Sequence, residues 1–539
     1  MYVYRITNQK IFITANLKTI IMRNKTISLV MCILMLSTMF SGCIEQPAEE
    51  VEVEVPQEVV AGLGRDAGGV YGGAHHHPPL TRLFEMLVTT GFESEVVPQL
   101  ATSWEVSDDG LTWTFYLRKG VYFHDGTPFN AEAAKFALEM HNIRRPGHLG
   151  PIASLTAIDG YTLQIIHTEP FAPLLHQLTW PLFSMASLAA FDEKGVIVNP
   201  IGTGPFKEEE WIPGERLVLV RNEDYWGGTP KLERITLMHI PDDITRAMSL
   251  EAGEIAMIID VGGVPPEYVK VLENNPEIDV LTKPITTVRY LIFNNQRPPF
   301  DDVKVRQAVQ WGIDQESIVK FGLEGIGVPL GSIVAPAVVE WNNPDIMVKY
   351  NVGMAKQLLN EAGWADTDGD GILDKNGEEF RVVLVISPCW PAPTLAEIIQ
   401  GQLREIGIIV EIQVLEHGAW RDAIRAGEHD MTIHALSFIG PHNALYRSFH
   451  SEGDLNLGRG TFFNNSRVNE LAELGKVTMN HDERRQIYLE VQEIIAEESP
   501  VVPIFGEVMI NAVRDDIRGY KLHPWFVVNW EDIYVASEQ

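Results

Sequence analysis

The chain has 539 residues, of which 45% are hydrophobic, 9% aromatic and 21% charged. At roughly 100–200 residues per domain it needs more than one core. Its apolar content and its aperiodic 44 Gly and 32 Pro exclude a disordered or collagen-like chain. With 42 basic against 73 acidic residues the net charge is −31, which repels phosphate backbones and concentrates cations. Nucleic acid is therefore excluded as a partner.

The N-terminus carries Arg5, Lys10, Lys18, Arg23 and Lys25 with no acidic residue, then an apolar run from Ile27 to Phe40 and Ser41-Gly42-Cys43. This pattern predicts a secretory signal peptide over 1–42, and the small-small-Cys ending predicts a lipidated Cys43. A retained N-terminal membrane anchor is the alternative. Met22-Arg23-Asn24-Lys25 would itself open a signal, so 1–21 are read as a start-site overcall. Either way the domain is expected on the extracellular face of the membrane. Residues 43–60 read as an acidic tether, with six Glu, two Pro and no basic residue between 45 and 58. Of the three Cys, Cys32 lies in the signal and Cys43 at its end, which leaves Cys389 alone and no disulfide framework.

Further along, short β-rich runs alternate with amphipathic helical segments, which predicts mixed α/β lobes. Strands are expected at Trp113–Leu117, Thr162–His167, Leu217–Arg221, Ile235–Ile240, Tyr290–Asn294, Val382–Ile386 and Ile408–Val414. Helices are expected at Ala131–Met140, Asp242–Ala252, Val303–Gly312, Val352–Ala362, Thr394–Ile406, Ala419–Ala426 and Asp482–Glu497, and a helix-like segment at Leu80–Val88. The run from Val382 to Val414 reads as a β-α-β unit closed by Gly407.

The stretch from Val97-Pro98-Gln99-Leu100 through Ser107-Asp108-Asp109-Gly110-Leu111-Thr112-Trp113 to Phe123-His124-Asp125-Gly126 resembles extracellular solute-binding proteins of ABC importers. The likeness is to family 5, which carries dipeptides, oligopeptides and nickel, and within it to the nickel-binding branch. It continues in Pro200-Ile201-Gly202-Thr203-Gly204-Pro205-Phe206, Arg221-Asn222-Glu223-Asp224-Tyr225-Trp226, Val305-Arg306-Gln307-Ala308-Val309 and Arg484–Phe505. The resemblance implies a two-lobed periplasmic-binding-protein-like α/β fold (type II, with an extra subdomain). Its hinge strands would lie near Thr286–Asn295 and Val501–Val513. The implied layout is lobe I over 61–285 with a subdomain at about 105–200, lobe II over 286–507, and a C-terminal return to lobe I over 508–539. It implies a monomer that works with ABC permease subunits and a separate ATPase, and Trp104, Asp109, Gly110 and Gly126 as turn and core residues.

Candidate ligand residues follow from histidine placement. His75, His76 and His77 end a glycine-rich run, and the resemblance places this stretch beside the cleft. Imidazole is a favoured ligand for nickel, copper, cobalt and zinc. The stretch Met431–Ser451, which in the family lines the cleft, holds His434, His442 and His450 and no Asp or Glu. Peptide-binding members keep an acidic residue there for the peptide's ammonium, whose unpaired burial costs several kcal/mol. His442 in Gly440-Pro441-His442-Asn443 is the first choice. His434 reads as a cleft or core histidine following a strand, and His450 as solvated. Trp180–Phe191, where the nickel branch places a carboxylate-holding Arg, has no basic residue. Arg447 and Arg289 are the substitutes, with Trp180 and Phe438 as cleft lining.

Asp366, Asp368, Asp370 and Asp374, with Gly371 at position 6 and the Ile372 carbonyl, match a calcium loop, although Gly377 stands where a bidentate Glu is expected. Structural calcium and a solvated turn both remain open. No Gly-x-Ser-x-Gly, Walker loop, His-Glu-x-x-His or dinucleotide fingerprint is present, so no catalytic cofactor is expected. The expected function is a tethered receptor that delivers nickel, or another divalent transition metal as a small chelate, to a permease. A di- or oligopeptide receptor is the alternative, and a histidine metallohydrolase a distant one.

Overall fold

A computed structural model describes residues 55–67, 81–259, 263–389, 391–438 and 440–537. The predicted signal, Cys43, most of the tether and His75, His76 and His77 lie outside the described residues. The last three tether positions, Glu58 to Val60, belong to the first strand, Glu58–Leu63.

A ten-stranded sheet forms the spine. In spatial order its strands are Ile409–Val414, Arg381–Ile386, Met431–Ser437, Ile278–Phe293, Val501–Arg514, Met257–Ile258, Glu58–Leu63, Arg234–His239, Arg216–Arg221 and Phe206–Ile212. The two long central strands run antiparallel and are shared by both halves. Leu291, Phe293, Val502 and Ile504 pack into the core around helices Val303–Gly312 and Ala392–Glu405. Ile278, Ile510 and Ala512 pack into a core with Leu250, Val264 and Leu272. Between Pro284 and Val288 the ladder breaks register, as expected where proline supplies no N–H. Two lobes joined by two crossing strands is the resulting architecture.

The predicted β-α-β unit is present. Arg381–Ile386 and Ile409–Val414 pair in parallel, and the helix between them, Ala392–Glu405, buries Leu395, Ile399 and Leu403. Gly407 has φ +87, a left-handed conformation that glycine adopts without strain. The subdomain is a four-stranded antiparallel sheet in the order Ala101–Val106, Thr112–Leu117, Thr162–His167, Ile152–Asp159, with helix Ala131–Arg144 packed on it. Gly110 and Gly126 are turn residues with φ +71 and +80. Asp109 Oδ1 accepts from the Leu111 N–H at 3.0 Å.

One predicted helix is absent. Residues 82–87 of the Leu80–Val88 segment are irregular, and Val88–Thr90 is a short strand. Leu83 and Phe84 enter one core while Leu87 and Val88 enter the subdomain core, so the segment is wedged between two apolar bodies. Burial on both sides mimics helical periodicity. The fully buried Glu85 carboxylate sits in the wedge and accepts from Thr203, Tyr225 and Trp226 at 2.9, 2.9 and 2.8 Å. Burial raises the proton affinity of that carboxyl, opposed chiefly by nearby Arg82.

Among the described residues no helix is long and apolar enough to cross a membrane.

Candidate functional site

Subdomain and second lobe meet where residues 171–177 face residues 440–446. Gly440 allows the approach, because a Cβ there would lie 2.7 Å from His176 Cγ. The Ala172 N–H donates to the Lys476 carbonyl at 2.9 Å. A cavity of about 10 Å³, room for about one water, lies between residues 172–177, 440–442, Arg484 and Tyr488. His176 Nε2, His442 Nδ1 and Tyr488 Oη are buried without a hydrogen-bond partner among the described residues.

His442 opens a π-helical turn, His442–Tyr446. Its ring stacks on Tyr446 at 4.9 Å and meets the edge of Phe171 at 5.8 Å. Burial, then the charges of Arg447 and Lys476, pushes its pKa down to about 3. His148 lies in the subdomain turn after Arg144 and Arg145, tilted against Trp180 with centroids 6.4 Å apart. Burial and Arg447 push it down to about 4. Arg447 bears on both rings, so the two elements place two neutral imidazoles around one guanidinium. Neutral imidazole is the metal-binding form.

Arg447 lies over Trp180, its guanidinium carbon 5.3 Å from the ring centroid, and pairs with Asp454. Arg289 pairs with Glu507 across the two long strands. Both proposed carboxylate holders therefore carry a carboxylate of this chain. Phe438 is buried in the second-lobe core with Leu436 and Leu445. His434 lies inside the strand Met431–Ser437 rather than after one, stacked on Trp420 at 5.1 Å and contacting Arg459. His450 is buried, contrary to the solvated expectation. It stacks on Tyr446 at 4.5 Å, and its Nδ1 accepts from the Glu452 N–H at 3.1 Å. The following turn folds back over it, an effect that no local pattern announces.

His124 is a structural histidine, bonded through Nε2 to the Gly204 carbonyl at 3.0 Å and accepting at Nδ1 from the Gly202 N–H at 3.4 Å. Asp366, Asp368 and Asp370 are exposed and hold carboxylate oxygens within 4.8 Å of one another. Asp366 also accepts from the N–H groups of Gly369 and Gly371, and both Asp374 oxygens accept from the Thr367 hydroxyl at 2.8 Å. Cys389 is free and exposed.

The sequence reading missed His148, His176 and Arg459. His148 had a signal, since it follows two arginines and a Pro-Gly turn in an acidic chain. His176 had none, because Leu174-Leu175-His176-Gln177-Leu178 reads as an ordinary apolar segment.

Residues 95–456 match the model of the bacterial extracellular solute-binding proteins, family 5. The chain belongs to this family. The Nickel-binding periplasmic protein of Escherichia coli K12 is 31% identical over 440 residues, covering 78% of this chain and 83% of that protein. The Dipeptide-binding protein of the same strain is 27% identical over 518 residues, covering 89% and 92%. The structure of NikA from Brucella suis with Fe(III)-EDTA superposes with a TM-score of 0.82 at 25% identity, covering 89% and 99%. Proteins of this family are periplasmic or extracellular transport receptors, not enzymes, which removes the metallohydrolase. They bind small ligands and serve ABC permeases and their ATPases.

Proposed function

We propose that this receptor captures nickel, or another divalent transition metal, as a small chelate and delivers it to its permease. His442 is the observation that carries this reading. It presents a buried nitrogen with no partner among the described residues, and Arg447, which acts on it, also acts on the imidazole of His148. Two carboxylates of this region are already engaged, Asp454 by Arg447 and Glu473 by Lys476 and the Tyr446 hydroxyl, and are poorly placed to receive a peptide ammonium. The 31% identical relative is a nickel-binding protein by name. His75, His76 and His77 remain proposed ligands from the first lobe. Cys43 is the proposed lipid site, with a retained anchor as the other tether, and the receptor acts as a monomer. The Asp366–Asp374 loop is a proposed calcium position, independent of the cargo.

A di- or oligopeptide cargo is the second reading, favoured by the 89% coverage of this chain by the Dipeptide-binding protein. Calorimetry on the mature domain with nickel, nickel–histidine and a peptide pool separates the two. Elemental analysis of the domain as purified gives an independent answer. Micromolar or tighter peptide binding with no response to nickel overturns the metal reading.

A further inference from the structure

Asn464-Asn465-Ser466 is the one Asn-x-Ser/Thr triplet, with x other than Pro, that follows the predicted signal. This is the acceptor pattern for N-linked glycans in exported chains. Such triplets recur by chance, and only an exposed one with an unused amide nitrogen can react. The chain that leads into this one is pinned. Thr461 and Phe463 are buried, the Asn295 N–H donates to the Thr461 carbonyl at 3.0 Å, and the Phe463 N–H donates to Asn456 Oδ1 at 2.9 Å. Asn464 then emerges exposed, in the irregular link before the helix Ser466–Val477. Its neighbour Asn465 is engaged. The Asn465 Oδ1 accepts from the Arg467 and Val468 N–H groups at 3.0 and 3.1 Å and caps that helix.

Hydrogen bonding decides which end of the Asn464 amide is unused. The Ser451 N–H donates to Asn469 Oδ1 at 2.9 Å, so the Asn469 NH2 faces the other way. That NH2 donates to the Ser451 hydroxyl at 3.0 Å and to Asn464 Oδ1 at 3.2 Å. Asn464 therefore presents its oxygen to Asn469, and its Nδ2 is left with no acceptor among the described residues. Ser466 is exposed as well, and its hydroxyl has no partner among the described residues.

We infer that Asn464 is the acceptor of an N-linked glycan. The donor is a glycan carried on a polyprenyl phosphate or diphosphate, used by a transferase on the outer side of the membrane, where receptors of this family work. The bond that forms joins Asn464 Nδ2 to the anomeric carbon of the first sugar. The bond that breaks joins that carbon to the lipid phosphate, which leaves with the electron pair. One amide proton passes to a base of the transferase, and nothing is oxidised or reduced. The Ser466 hydroxyl, two residues on, is the group by which the transferase reads the triplet. Neither that hydroxyl nor the Asn464 Nδ2 serves the fold, so the glycan displaces no contact. The assignment holds for either cargo.

The test uses the full chain purified from the cell that makes it. Trypsin cuts after Arg459 and Arg467 and releases residues 460–467 with the whole triplet. Tandem mass spectrometry is expected to find this peptide carrying sugar, with the addition on Asn464 and none on Asn465. Asn464→Gln and Ser466→Ala, expressed in the same cell, should each lose the addition completely. Ser466→Thr should keep it, because the hydroxyl is retained. A wild-type peptide found only in its unmodified form overturns the inference. So does an addition that survives in Asn464→Gln or in Ser466→Ala. Loss of the addition in Ser466→Thr also overturns it, since the hydroxyl would then not be what is read.

Discussion

The Arg447 guanidinium donates to both oxygens of Asp454, from Nε to Oδ1 at 2.7 Å and from Nη2 to Oδ2 at 2.6 Å. The pair stands beside His148, His442 and Trp180, so it sets the charge balance of the subdomain–lobe contact. Asp454 is 58% exposed, so the pair is expected to stabilise the fold by only about 1 kcal/mol. Asp454→Asn should lower the melting temperature slightly. It should also raise the relative affinity for more negative chelates severalfold, because the negative charge beside Arg447 has gone. Calorimetry comparing nickel–citrate with nickel–histidine checks this, and an unchanged ratio rejects it.

Histidines of the same type separate by their bonding. His442→Ala and His148→Ala should each weaken nickel–histidine binding by about tenfold or more, the size expected for a lost metal contact or its support. His124→Ala should leave affinity unchanged while lowering thermal stability, since it removes two bonds to the 202–204 turn. Wild-type affinity in both His442→Ala and His148→Ala sinks the metal reading.

Gly440 governs the approach of the two elements. In Gly440→Ala a methyl group would lie 2.7 Å from the His176 ring, so contact requires one side to retreat. The variant should be more open by small-angle scattering in the presence of cargo and bind more weakly. Stability of the cargo-free protein should change little. A variant as compact as wild type, with the same affinity, shows that the two segments separate without cost.

Much of the fold was legible because the signals are local. Thr162–His167 and Val303–Gly312 have the predicted boundaries, and the β-α-β unit follows from periodicity closed by a glycine. Leu80–Val88 failed because burial against two cores erases the difference between a helix and a wedged coil. His442 stood out by residue type in a loop with no acid. The charge state of the arginines was not legible, since it depends on partners far from the pairing turn, such as Glu507 for Arg289. Arg459 is conspicuous only by a missing partner, which no sequence pattern displays.

The pH dependence follows from the buried imidazoles. With the subdomain seated on the second lobe, burial chiefly pushes His442 and His176 down to about 3 and His148 down to about 4. The next contributions are like charges, from Arg447 for His442 and His148 and from Arg484 for His176. Once the lobes part and water reaches the rings, each should return toward ~6.5. The open state then binds more protons, so closure is favoured as pH rises. Its stabilisation is complete above about pH 6.5 and is lost as pH falls from there toward 4 and 3. A single metal-ligand histidine of ordinary pKa begins its loss at the same pH, ~6.5, but with a slope of only about one proton, so the steeper slope is what marks several shielded rings. Here affinity should be flat above about pH 7 and keep falling below 5.5. His176→Phe should flatten the slope by up to about one proton per closure event. Calorimetry from pH 8 to 4.5 on both proteins reads this directly. A wild-type profile that stays level down to pH 5 would show that the rings are not shielded on closure.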